Sequence, residues 1–187
     1  MNKLDRLQKL GKCTPVTLAA IQSITQHCRQ EVDTAHLAKG LALGLSLFLQ
    51  VHPQAHLNIA LEGDLGAGKT TLARYLIQGM GYVGKVKSPT YTLCEPYSVH
   101  IHEQALMAHH FDLYRMRTPL EWQEAGFAEH FDEPGFCIIE WPEKAEGTLP
   151  LFDLQITLTA GEAESERTIV LNAFTEKGQS VLLQLNH

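Results

Sequence analysis

Gly63-Asp64-Leu65-Gly66-Ala67-Gly68-Lys69-Thr70 spaces three glycines, a lysine and a hydroxyl as a bound polyphosphate requires. Glycines let successive backbone N–H groups approach an anion closely, and a helix starting beside them aims its positive end at the same charge. Lys69 is spaced to reach β- and γ-phosphates as a point charge, and the Thr70 hydroxyl to ligate magnesium. Asp64, Leu65, Gly66, Ala67, Gly68 and Thr71 complete the phosphate-binding run. The chemistry implied is the binding of a nucleoside triphosphate with its metal ion.

Hydrolysis of a bound triphosphate needs in addition an acid at the end of a neighbouring strand, to hold the metal or its water. Phe136-Cys137-Ile138-Ile139-Glu140 has that form, with Trp141 following instead of a second acid. Asp112 ends another apolar run in His110-Phe111-Asp112-Leu113-Tyr114-Arg115, but taken alone it reads more simply as a capped turn with a structural Asp–Arg pair. Two further patterns are set aside. Asn2-Lys3-Leu4-Asp5 matches a guanine-reading tetrapeptide, yet it begins the chain with no strand before it, which removes the main argument for GTP. His100, His102, His109 and His110 lie close together, but no cysteine or carboxylate completes a zinc spacing.

The elements that must position these groups follow from periodicity. Leu57-Asn58-Ile59-Ala60-Leu61 reads as a strand running into Gly63, and Leu72, Ala73, Leu76, Ile77 and Met80 mark one face of a helix that Gly79 and Gly81 stop. Strand, glycine loop, helix is the setting a P-loop needs. Upstream, Asp33 or Thr34 is expected to cap a helix with Leu37, Leu41, Leu45 and Leu49 on one face, ended by His52-Pro53. Strands are expected at 106–111 and 136–139. Between them Thr118-Pro119-Leu120-Glu121 reads as a capping box opening a short helix that Gly126 ends. Runs at 154–159, 168–171 and 181–185 read as strands added antiparallel at the sheet edge. Residues 1–30 form an extension with a short helix over 17–29, and residues 31–187 the P-loop domain.

Composition agrees with a single domain: 187 residues, 44% apolar, 19% charged, net charge −6. That balance argues against a large nucleic-acid-binding surface, although Lys85, Lys87 and Lys144 are candidates for a small patch. The four cysteines form no C-x-x-C pair, so buried reduced thiols are expected. Residues 1–12 carry charges throughout, unlike a signal peptide, and the apolar stretch at 41–49 is broken by Gly44 and Ser46. A cytoplasmic protein is expected.

Four segments together resemble the TsaE (YjeE) family of bacterial tRNA threonylcarbamoyladenosine synthesis: Gly63 to Thr71, Lys87-Ser88-Pro89-Thr90-Tyr91-Thr92-Leu93, His110 to Arg115, and Ile139-Glu140-Trp141-Pro142. The resemblance covers roughly residues 31–160. It implies an α/β P-loop NTPase fold with a central, mainly parallel sheet, and a feeble ATPase that binds ATP and magnesium. Its implied partners are TsaB and TsaD, with tRNA met indirectly through that complex. Lys69 and Thr70 match the phosphate and magnesium positions, and Asp112 and Glu140 the two acids near the metal. Ser88, Thr90 and Thr92 fall in a switch-like segment in which Thr90 or Thr92 senses the γ-phosphate, and Trp141 borders the nucleotide or packs. Two other functions fit a bare P-loop: a small kinase, and a nucleotide-gated binding module that hydrolyses nothing.

Overall fold

The computed structural model describes residues 19–101 and 104–186. The tetrapeptide at residues 2–5, together with Cys13 and His102, lies outside the described residues. In chain order the elements are β1 (Gln22–Cys28), α1 (Glu31–Val51), β2 (His56–Glu62), α2 (Lys69–Gly79), β3 (Cys94–Ile101), β4 (Gln104–Asp112), α3 (Glu121–Glu124), β5 (Gly135–Glu140), β6 (Leu154–Ala160), β7 (Arg167–Ala173) and α4 (Glu176–Leu182). Short 3₁₀ turns occupy Phe127–Phe131, Pro142–Ala145 and Leu183–Asn186.

Strands β2 and β5 are near-continuous apolar runs buried on both faces, as central parallel strands must be. The seven strands form one sheet in the order β1-β7-β6-β2-β5-β4-β3. β2 pairs parallel with β5 and β6, and β4 parallel with β5. β3, β7 and β1 attach antiparallel. The expected mainly parallel sheet is therefore present, with antiparallel strands at both edges and not only at the C-terminal one. α1, α2 and α4 pack on one face, over Leu61, Ile138 and Ile156, while the other face meets Trp122, Phe131 and Ala145.

Several local expectations are corrected. The helix over 17–29 is instead an edge strand over its second half: Ile24 and Thr25 are β-branched, and Ile24 pairs with Leu171 of β7. The strand at 181–185 is α4 and the following turn. Thr175 caps that helix, its Oγ1 accepting from the Gly178 N–H at 3.2 Å, and the run is too short for periodicity to decide. α1 begins at Glu31, ahead of both proposed caps. Asp33 reaches back from the first turn to accept from the Arg29 and Gln30 N–H groups at 2.8 and 3.0 Å. The Thr118 box is displaced: the side chain of Glu121 accepts from Arg117 N–H at 2.7 Å, and the helix lasts one turn.

α1 has 21 residues and a mean hydropathy of 1.2, enough by length and composition to cross a bilayer. Its Leu37, Leu41, Leu45 and Leu49 are instead buried in the core, which is why the helix needs that hydropathy. Cys28, Cys94 and Cys137 are buried free thiols, as expected.

The histidine cluster resolves differently from its sequence spacing. His109 of β4, 4% exposed, stacks on His130, with ring centroids 4.1 Å apart and planes 11° apart. Glu133 completes a trio whose potential ligand atoms lie within 4.8 Å. An imidazole lone pair lies in the ring plane, so two stacked rings cannot aim at one ion; this is a packing pair. Burial, with His130 beside it, lowers the His109 pKa to about 4, while Glu133 opposes the shift. Above about pH 6.5 the residue is neutral whether folded or unfolded. Between 6.5 and 4 the unfolded chain accepts a proton that the folded one refuses, so stability falls as pH drops. The expected loss is on the order of 3 kcal/mol by pH 4. Urea midpoints measured across this window should show it, and His109→Gln should flatten the slope; an unchanged slope would refute the assignment.

Candidate functional site

Every group singled out for chemistry in the P-loop segment gathers at the carboxyl ends of β2, β5 and β4, where open α/β sheets place their ligands. Gly63, Gly66 and Gly68 take φ of 135°, 79° and 102°, which favour glycine. Gly63 is also held by contact: a Cβ there would lie 2.3 Å from the Leu158 carbonyl oxygen of β6. The Gly68 backbone caps α2, so the helix N-terminus points into the loop.

Lys69 is buried, at 4% exposure. Its Nζ donates to the Gly63 and Asp64 carbonyls at 2.5 and 2.9 Å and stands 3.6 Å from the Trp141 ring centroid. Burial pulls its pKa below the usual lysine value, and the carboxylates of Glu140, Glu143, Asp112 and Asp64 oppose that shift. With this pull in both directions the ammonium is desolvated but not isolated, a state suited to meeting an anion.

Parallel register sets Asp112 beside Glu140 on adjacent strands, both nearly buried. Glu140 Oε2 accepts from Thr70 Oγ1 at 3.0 Å, and its Oε1 lies 2.8 Å from His110 Nε2. Asp112 Oδ2 accepts from Ser88 Oγ and, at 3.3 Å, from Thr90 Oγ1, while Ser88 and Thr90 are 2.6 Å apart. Thr92 faces elsewhere, donating to Glu95 at 3.2 Å. Trp141 has φ 60°, a left-handed conformation unusual for a bulky residue, and its ring leans on Tyr114 at 4.9 Å. Strain of this kind gathers at functional sites.

A cavity of about 400 Å³ is lined by Leu65, Gly66, Gly68, Lys69, Thr70, Thr71, Ser88, Thr90, Asp112, Glu140 and Trp141, with Tyr114 and Arg115 at its edge. Its donors and hydroxyls suit phosphate, and its carboxylate and hydroxyl oxygens form a hard donor set of the kind magnesium takes. A second cavity of about 440 Å³ opens on the other side of Gly68 and Thr71, which line both. Glu31, Thr34, Glu164, Ser165 and Arg167 form its wall. Lys85 and Lys87 line a separate hollow with Tyr82 and Tyr97, and Lys144 stands 5.6 Å from the Tyr114 ring.

Sequence reading missed the second cavity and the residue that braces it. Arg167 Nε donates to the Ala67 carbonyl at 2.7 Å and Nη2 to that of Gly66 at 3.2 Å, while Nη1 bonds the Glu164 and Glu166 carbonyls. One guanidinium thus ties the loop before β7 to the glycine run. Arg167→Met is expected to weaken nucleotide affinity roughly tenfold, the scale of one or two charged hydrogen bonds, while the melting temperature stays near wild type. Equilibrium binding tests it, and wild-type affinity would show the brace to be idle. No motif pointed to this arginine, because 100 residues separate it from its partner Ala67.

A parallel sheet, a glycine loop between β2 and α2, and acids ending the adjacent strands define the P-loop NTPase fold. Residues 28–169 match the family model described as "Threonylcarbamoyl adenosine biosynthesis protein TsaE", and the chain belongs to that family. It is 38% identical over 162 residues to the tRNA threonylcarbamoyladenosine biosynthesis protein TsaE of Haemophilus influenzae, covering 87% of this chain and 97% of that one. The Bacillus subtilis protein of the same name is 40% identical over 111 residues, which is 59% of this chain and 66% of the relative. The crystal structure of Bacillus subtilis YdiB superposes with a TM-score of 0.67 at 27% identity, covering 88% and 95% of the two chains.

Proposed function

We propose that this TsaE-family member is a magnesium-dependent ATPase that supports threonylcarbamoyl modification of tRNA, acting in the cytoplasm with TsaB and TsaD and meeting tRNA only through them. The observation that carries the reading is the pair of cavities joined at Gly68 and Thr71, one lined by Lys69, Thr70, Asp112 and Glu140 and the other free to take a nucleoside. Thr70, Glu140 and Asp112 would hold the magnesium, which supplies charge neutralisation at the phosphates. Lys69 leaves its own loop's carbonyls for the β- and γ-phosphates. Glu31 and Glu164 give the second cavity acceptors to which the 6-amino group of adenine can donate.

Hydrolysis is weak because Glu140, the last residue of β5, is followed in sequence by Trp141 and not by a second acid to orient water. Thr90, not Thr92, carries the γ-phosphate response. Its hydroxyl and that of Ser88 are bonded to Asp112, so engaging Asp112 with the metal frees the segment that partners read. Reconstitution tests the whole reading. Modified tRNA and released phosphate are measured with TsaB and TsaD, with this chain added or omitted. Modification that proceeds equally without the chain would sink the proposal. Transfer of the γ-phosphate to a metabolite would make it a kinase, and modification without phosphate release a binding module.

A further inference from the structure

Glu140 is gripped at both carboxylate oxygens, and only one grip belongs to the P-loop. His110 supplies the other. It lies on β4 in register with Ile138, so alternation puts it on the same sheet face as Glu140, one pleat away on the adjacent strand. His110 Nε2 is 2.8 Å from Glu140 Oε1, with side-chain exposures of 0% and 3%. His110 Nδ1 is buried with no hydrogen-bond partner among the described residues. A carboxylate oxygen is an acceptor, so the proton belongs on Nε2.

We propose that His110 is a positioning residue for Glu140: by donating to Oε1 it turns Oε2, the oxygen now accepting from Thr70 at 3.0 Å, toward the phosphate cavity. The inference rests on the magnesium-nucleotide reading above. When Thr70 is drawn to the metal, Glu140 loses one of its two partners, and His110 is the one that remains. Without it the carboxylate gains rotamer freedom, which it must lose again each time the metal binds.

The test measures the magnesium concentration for half-maximal ADP binding, read from Trp141-region fluorescence, alongside ADP affinity in EDTA and the melting temperature. His110→Met, similar in size but without a donor, is expected to need roughly 10- to 100-fold more magnesium, the usual effect of removing such a supporting hydrogen bond. ADP affinity in EDTA should change by less than about twofold, since His110 touches no residue that holds phosphate. His110→Gln, whose amide nitrogen reaches the Nε2 position, should recover most of the loss. Should His110→Met fail to fold, His110→Asn retains polarity without that reach, and the same magnesium shift is expected of it.

A variant with wild-type magnesium dependence would overturn the positioning role and leave the site reading intact. So would a parallel loss of ADP affinity in EDTA, which marks a structural role. Wild-type binding that ignores magnesium would overturn the site reading itself, and this inference with it.

Discussion

Lys69→Ala loses nucleotide binding by at least roughly 100-fold, because the ammonium is the one buried cation facing the phosphate cavity among the described residues. Its present bonds are only to the Gly63 and Asp64 carbonyls, in its own loop, so the variant keeps its sheet and its melting temperature. The geometry adds a reason for a large effect. Burial has already stripped water from the ammonium, and phosphate meets a charge that need not be desolvated again. Titration calorimetry with ADP and a non-hydrolysable ATP analogue checks it. Affinity within a few-fold of wild type would overturn the assignment of Lys69.

Glu140→Gln is the second large effect, and it falls on hydrolysis, not on binding. The amide fills the same volume, can accept from His110 and can bond Thr70, so the network around it closes. Only the negative charge is lost, and with it the capacity to hold the metal's water or take a proton. Phosphate release in the reconstituted modification system should fall by roughly 100- to 1,000-fold, while nucleotide affinity changes a few-fold at most. Undiminished release would falsify the role given to Glu140.

What could be read from sequence were groups whose chemistry is local. The P-loop is contiguous, and β5 and, apart from Asn58, the middle of β2 read as apolar runs because both faces are covered. Glu140 is legible as an acid closing such a run, whereas Asp112 alone reads as a capped turn and is singled out only by the family resemblance; parallel register sets the two side by side. What could not be read depends on distant pairing. β1 has the exposed, polar composition of a loop and becomes a strand only against β7. β3 went unseen because Pro96 sits in it, a residue a central strand rejects but an edge strand accepts. The choice between Thr90 and Thr92 depends on which hydroxyl the turn delivers to Asp112, and no spacing rule gives that.

The last strands, to which no chemistry was attached by sequence, turn out to be a splint for the phosphate loop. Gly63 is wedged against the Leu158 carbonyl of β6, and Arg167 at the start of β7 is bonded to Gly66 and Ala67. The loop's shape is therefore dictated from the far end of the chain. Glu164, Ser165 and Arg167 also line the second cavity, so displacing residues 161–167 would disturb the glycine run and that cavity together.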